Sequence, residues 1–250
     1  MNDQRKFLRN FLKDDIRQKT DFRNTDQNRG IRPPAIEKEA GPEAKRIDLP
    51  KPAEWESVAD TSVKEAIGKR KSHRQYNGEA LSLVELSFLL WSVQGVREVI
   101  SGTSFRTVPS AGCRHAFETY LAIFNVDGLA EGLYRYLPSS HQLVLESTPE
   151  RLADKTTEAC LNQSFAGKAA VTFIWTAIPY RMEWRYAEAS YKVIALDAGH
   201  VCQNLYLACE SINSGTCAIA AYDQQKADQL VGADGEDEFV VYISPVGKVR

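Results

Sequence analysis

The chain has 250 residues, 43% of them hydrophobic, with 31 Lys and Arg against 33 Asp and Glu and a formal net charge of −2. That composition supplies one large core or two small ones and excludes a disordered chain. It also lacks both the basic excess of a nucleic-acid-binding domain and any apolar run near the roughly 18–20 residues that span a bilayer, so neither nucleic acid nor membrane is an expected partner.

The N-terminal MNDQRKFLRNFLKDD has no apolar segment ahead of a small-residue cleavage site, which argues against a secretory signal. The five cysteines are odd in number, show no CxxC pair and sit mostly in apolar segments. They read as core residues of a reduced, cytoplasmic protein with no disulfide framework and no metal site.

Residues 1–54 are expected to form an N-terminal arm. Phe7, Leu8, Phe11, Leu12 and Ile16 predict a short amphipathic helix. The polar stretch after it is broken by Gly30, Pro33, Pro34, Gly41, Pro42, Pro50 and Pro52. It carries too little apolar surface to order by itself, so it is expected to lie on the domain or on a second subunit.

A compact domain is expected over 55–250. Ser62-x-x-Glu65 and Ser82-x-x-Glu85 read as capping boxes opening helices near 62–68 and 83–94. Residues 117–126 read as a strand, GLYRYLPSSHQLVLES as a hairpin, 149–160 as a helix and 169–177 as a central strand apolar on both faces. A long helix is expected over 190–212, with the small Ala198 and Gly199 permitting close helix approach. A short strand at 217–221, a helix at 224–231 and a strand at 239–244 follow. Without regular βαβα alternation, the fold class is α+β, a mainly antiparallel sheet between helices.

Residues 69–76, KRKSHRQY, concentrate cationic side chains around a serine. On an extended segment Arg70, Ser72 and Arg74 share one face; on a helix Arg70 and Arg74 still do. Two guanidinium forks flanking a hydroxyl suit a phosphate, and a solvated turn after a helix C-terminus is the plainer alternative. Pro109, Ser110, Ala111 and Gly112 make a small-residue turn, either an ordinary loop or a place where backbone approaches a flat ligand. Asn162-Gln163 is either a helix-end cap or a pair of amides for a pyrimidine-like edge. GTCAIAAYD leaves the backbone N–H groups of Ala220 and Ala221 accessible, and the terminal VGKVR adds Lys248 and Arg250.

Taken in order, RxSxR followed by Tyr76, PSAG before an E-x-Y-L strand, ALDAGHVCQNLYLACE (195–210) and a closing E…VY…VG resemble the nitroreductase superfamily, in particular its SagB/ThcOx-type dehydrogenase branch. The resemblance runs from about residue 62 to the C-terminus. It implies a nitroreductase-like fold and a homodimer binding FMN between its subunits. By that resemblance Arg70, Ser72 and Arg74 hold the phosphate and ribityl chain, with Lys248 and Arg250 assisting. Pro109, Ser110, Ala111 and Gly112 line the isoalloxazine from the other subunit, and Gln163, or Asn162 one residue away, contacts the pyrimidine edge. Ala220 and Ala221 present backbone N–H to flavin N5. His200 is read as structural, on the helix that forms the dimer core.

The implied activity is ping-pong hydride transfer through the flavin, to or from a small electron-poor or heterocyclic substrate. No protein nucleophile is required, which agrees with the lack of G-x-S-x-G and H-E-x-x-H. NAD(P)H is a possible transient reductant, since no GxGxxG is present to hold it as a Rossmann-bound cofactor. Azoline-oxidising members of the branch use an adjacent Lys-Tyr pair. The corresponding AIPYRMEWRYAEASYKVI has none, which counts against azoline dehydrogenation. Its Tyr180, Trp184 and Tyr186 would either stack on a flat substrate or cover the cofactor. The competing functions are a dehydrogenase modifying a peptide natural product and a flavin-binding protein without turnover.

Overall fold

The structure is a computed structural model that describes residues 3–100 and 102–249. Seven strands form one sheet in which every pairing is antiparallel: β1 (Arg46–Asp48), β6 (Gln142–Ser147), β5 (Gly132–Leu137), β4 (Phe117–Ile123), β7 (Val171–Ala177), β9 (Phe239–Lys248) and β8 (Ser214–Thr216), in that spatial order. β2 (Val96–Ile100) and β3 (Thr103–Arg106) form a separate ribbon.

The period-2 alternation of β4 and β7 divides the core into two layers. Phe117, Leu121, Ile123, Phe173 and Trp175 face α4 (Leu83–Gln94) and α7 (Ser190–Glu210), meeting Leu86, Leu90, Ile194, Val201 and Leu205. Tyr120, Ala122 and Ile174 point the other way, towards α5 (Leu152–Ala159) and α8 (Gln224–Val231). Each large apolar side chain in these layers is almost wholly buried, a contribution of about 1.5–3 kcal/mol apiece. The fold is therefore α+β, an antiparallel sheet flanked by helices. Among the described residues no helix is long and apolar enough to cross a membrane.

Two expectations are corrected, and one segment left unassigned by the sequence proves helical. Residues 217–221 do not form a regular strand: the edge strand is β8, and beyond it only Ile219 returns to the sheet, bridging Ile243. The N-terminal apolar pattern divides into α1 (Asp3–Asn10) and α2 (Asp15–Lys19), with Asp14 at the start of the second. YRMEWRY is a helix, α6 (Tyr180–Tyr186), in which Arg181, Met182 and Trp184 are buried.

Residues 36–48 are closely engaged with the sheet. β1 pairs with β6, and the carbonyls of Ile36, Lys38 and Glu39 accept from the buried guanidiniums of Arg106 and Arg135. Lys38 reaches the Glu238 carboxylate at 2.6 Å.

Candidate functional site

Helix α3 (Val63–Lys69) opens with Ser62 Oγ accepting from Glu65 N–H and ends where Arg70 turns extended. The next residues lie along the β8–β9 edge. Ser72 bridges Thr216 in parallel, His73 N–H donates to Thr216 O at 2.9 Å, and the Tyr76 hydroxyl donates to Pro245 O at 3.1 Å. Two glycines make this approach possible. A Cβ on Gly215 would lie 2.5 Å from the His73 ring, and one on Gly247 would lie 2.6 Å from the Tyr76 ring.

The segment is thus extended, the conformation in which Arg70, Ser72 and Arg74 all share one face. Arg70 sits over the Tyr206 ring at 5.3 Å, Ser72 Oγ is 3.0 Å from the Tyr206 hydroxyl, and Arg74 lies 5.9 Å from the Phe165 ring centroid. Lys69 pairs with Glu65, but among the described residues neither Arg70 nor Arg74 has a carboxylate partner. A cleft of about 680 Å³ runs along Lys71–Asn77 and Val249.

The same network continues to the segment after β8. The Tyr206 hydroxyl also accepts from Ala218 N–H at 2.9 Å. Gln163 Nε2 donates to Ala221 O at 2.9 Å and to Cys160 O at 3.0 Å, while Asn162 is exposed in a left-handed conformation, φ +62°. Ala220 and Ala221 are exposed, and among the described residues neither backbone N–H has an acceptor. Ala220 stands at the rim of an apolar cleft of about 380 Å³ lined by Ala195, Ala198, Gly199, Val241 and Tyr242. Lys248 turns away from the cluster, its ammonium donating to Glu85 Oε1 and, at 2.8 Å, to Ile212 O. Arg250 lies outside the described residues.

The turn 109–112 is built separately. Ser110 Oγ accepts from His115 N–H at 2.9 Å, and Ala111 N–H donates to Asp197 Oδ2 at 3.1 Å. Burial raises the Asp197 carboxyl above its ordinary value, partly opposed by the hydrogen bonds from Ser110 and Ala111. Asp197 Oδ1 is 3.7 Å from the Nδ1 of His200, whose side chain is half exposed. Gly112 has φ +58°, and a Cβ there would meet the Tyr186 hydroxyl at 2.6 Å. Tyr206 and Asp197, which serve the two groups, are nine residues apart on α7, about 13–14 Å along its axis. Within one chain the structure therefore brings Arg70, Ser72, Arg74, Gln163, Ala220 and Ala221 to one region, and places Pro109–Gly112 in another.

Helix α6 is held by residues 26–31. Tyr180 donates to Asp26 Oδ2 at 2.8 Å, Trp184 Nε1–H to Ile31 O at 2.9 Å, and Gln27 N–H to Trp184 O at 2.9 Å. Trp184 is buried, with the Arg114 guanidinium 4.8 Å from its ring. Tyr186 borders Gly112. The sequence reading passed over Asp197 and Tyr206. Each has a signal in hindsight: a carboxylate among small apolar residues, and a tyrosine two and a half turns further along the same helix.

A sequence profile of the nitroreductase family matches residues 67–248. The chain belongs to the nitroreductase family. It is 29% identical over 191 residues to a protein assigned as a nitroreductase in Methanocaldococcus jannaschii, covering 76% of this chain and 93% of that one. It is 33% identical over 107 residues to the trifolitoxin-processing protein TfxB of Rhizobium leguminosarum bv. trifolii, covering 41% of this chain and 29% of that one. A crystal structure from Ralstonia eutropha, also assigned as a nitroreductase, superimposes with TM-score 0.68 at 25% identity, over 88% of this chain and 94% of the other. Membership places the chain among flavin-dependent oxidoreductases, and the likeness to TfxB supports the SagB-type branch within them.

Proposed function

We propose that the chain is an FMN-dependent oxidoreductase acting as a homodimer on a small electron-poor or heterocyclic substrate, with NAD(P)H as a transient reductant. The observation that carries this reading is the pair of guanidiniums on Arg70 and Arg74, which have no carboxylate partner among the described residues and flank the exposed Ser72 hydroxyl on an extended segment. Two such forks satisfy a phosphate bidentately, and Ser72 adds a neutral donor. Tyr206 fixes Arg70 and Ser72 together, so the clamp is set before a ligand arrives.

The neighbouring groups suit the ring of the same cofactor. The apolar cleft at Ala220 accepts a flat aromatic system, and the unpartnered N–H groups of Ala220 and Ala221 offer donors to a ring nitrogen such as N5. Gln163, fixed by Ala221 O, stands beside them for the pyrimidine edge. When bound, FMN supplies reversible hydride acceptance and donation. The protein's part is to hold the ring, exclude water from one face and orient N5.

The separation between the clamp and the turn 109–112 supports a site shared by two subunits, in which the partner's turn covers the ring. Asp197 sets that turn's position through Ala111 N–H. In this assignment Lys248 contributes by bracing Glu85 and the end of β9. Five free cysteines, four of them buried, suit a reduced cytoplasmic setting.

A second reading, a dehydrogenase that modifies a peptide natural product, is favoured by the likeness to TfxB. The absence of an adjacent Lys-Tyr pair near α6 counts against azoline chemistry.

The visible spectrum of protein reconstituted with FMN, before and after anaerobic NADPH or NADH, tests the proposal. Stoichiometric flavin that bleaches supports it. Failure to retain FMN, or retention undiminished by Arg70→Ala with Arg74→Ala, overturns the clamp. Flavin that is retained but never reduced points to a non-redox flavin protein.

A further inference from the structure

Beside the turn 109–112, guanidiniums outnumber the carboxylates able to pair with them. Arg114 lies two residues beyond the turn and is 5% exposed. Its Nη2 donates to Gly102 O at 3.1 Å and its plane lies against Trp184, but its buried Nε has no acceptor among the described residues. Arg181 pairs with Glu118 and leaves its buried Nη1 unpartnered. Arg185, one turn further along α6, is half-buried and crosses over Gly112, where a Cβ would lie 2.8 Å from its Cδ and Nε.

An arginine has five N–H donors, and the structure shows one of Arg185's in use, Nη1 to Gln27 Oε1 at 3.2 Å. Among the described residues neither Arg114 nor Arg185 forms an ion pair. Asp197, the carboxylate that holds the turn, is already bonded to Ala111 N–H and faces His200. Burial lowers the Arg114 pKa, and the charge of Arg185 lowers it further. Like charges drawn partly out of water in this way are unfavourable until an anion joins them.

We propose that Arg185, backed by Arg114, anchors the carboxylate of a small planar substrate at the exposed edge of the Pro109–Gly112 turn. The proposal rests on the reading of that turn as flavin-lining and narrows its substrate class to aromatic or heterocyclic carboxylates. The guanidinium fork matches a carboxylate through two parallel hydrogen bonds, and the aromatic body would then lie along the small residues of the turn. The arm fixes the anchor in advance: Gln27 holds Arg185, and Ile31 O holds the indole on which Arg114 rests. Such preorganisation lowers the ordering cost of binding.

The test is calorimetric titration of the FMN-saturated full chain with 4-nitrobenzoate, its neutral analogue 4-nitrobenzamide and inorganic phosphate. The expected result is a preference of at least about tenfold for the acid over the amide. That preference should disappear in Arg185→Gln, titrated as folded, FMN-saturated protein, and persist in the control Arg17→Gln on the exposed α2. Equal affinity for acid and amide, no measurable binding of the acid, or a preference that survives Arg185→Gln overturns the anchor. Phosphate binding tighter than 4-nitrobenzoate overturns the carboxylate assignment. If the chain holds no FMN, the flavin reading fails, and titration of the flavin-free chain still decides whether Arg185 selects a carboxylate.

Discussion

The carboxylate of Asp197, buried on α7, accepts a hydrogen bond at 3.1 Å from the backbone N–H of Ala111, 86 residues earlier in the chain. A helix that packs in the core thereby fixes a turn at the surface, and any ligand lying against Pro109–Gly112 meets a backbone whose position α7 determines.

Asp197→Ala leaves the Ala111 N–H without its acceptor and should cost about 1–3 kcal/mol in stability. Asp197→Asn retains an acceptor and removes the charge. Because burial raises the folded-state pKa above 3.8, Asp197 contributes stability that is fully present below that value and is lost as pH rises through the folded value. The stability of Asp197→Asn relative to wild type should therefore improve from pH 4 to pH 7. Parallel thermal melts across that range check it, and a constant difference would remove Asp197 from the titration.

His115 behaves in the opposite sense. Burial, first, and the charge of Arg106 hold its pKa down to about 3, and its Nε2 lies 3.1 Å from Ser104 O. With the folded value depressed below the ordinary 6.5, its contribution is present above about pH 6.5 and is lost as pH falls towards 3. His115→Gln keeps a donor for Ser104 O without titrating, so its melting temperature should fall less than wild type between pH 7 and pH 5. Equal falls would show that another group governs acid sensitivity.

Gly247 and Tyr76 give a packing test of the phosphate clamp. A Cβ at Gly247 would lie 2.6 Å from the Tyr76 ring, so Gly247→Ala must displace the ring or the strand, at a cost of about 1–3 kcal/mol. Tyr76 closes the extended segment that carries Arg70, Ser72 and Arg74, so FMN affinity should fall as well. In Tyr76→Ala the obstruction is absent, and the double variant should be more stable than the sum of the single changes predicts. A four-member cycle of denaturation midpoints measures the coupling; simple additivity would show that Tyr76 does not transmit the strain.

Elements whose signals are local were legible in the sequence. The bounds 83–94 and 224–231 coincide with α4 and α8, and the Ser82–Glu85 capping box forms in full. At Ser62 only half of the box forms, because the Glu65 carboxylate turns to Lys69 four residues on. The spacing of Arg70, Ser72 and Arg74 allowed either an extended segment or a helix, and the bridge from Ser72 to Thr216 selects the extended one. What the sequence hid depends on distant partners. An arginine such as Arg181 reads as a surface residue until Glu118, 63 residues away, is brought against it. The same holds for α6, whose aromatic and basic residues show no apolar period of their own. Residues 217–221 had strand-like composition, yet beyond β8 the chain leaves the edge except at Ile219.

Residues 3–45 divide into parts with different consequences. No residue of α1 or α2 is buried, and Phe7, Leu8 and Leu12 are among the most exposed apolar side chains described. Removing residues 1–20 should therefore move the melting temperature by no more than a few degrees. Extending the deletion through residue 45 takes away Ile36 O, Lys38 O and Glu39 O, acceptors for Arg106 and Arg135 at 2.7, 2.6 and 3.2 Å, together with the Lys38 ammonium that meets Glu238. Arg106 and Arg135 are 3% and 2% exposed, and buried guanidiniums stripped of partners cost several kcal/mol. A chain beginning at residue 46 should be insoluble or melt at least ten degrees lower, while one beginning at residue 21 should behave as the full chain does. Soluble expression and calorimetry of the two truncations decide the point, and equal stability of both would mean that the segment 21–45 rests on the sheet without supporting it.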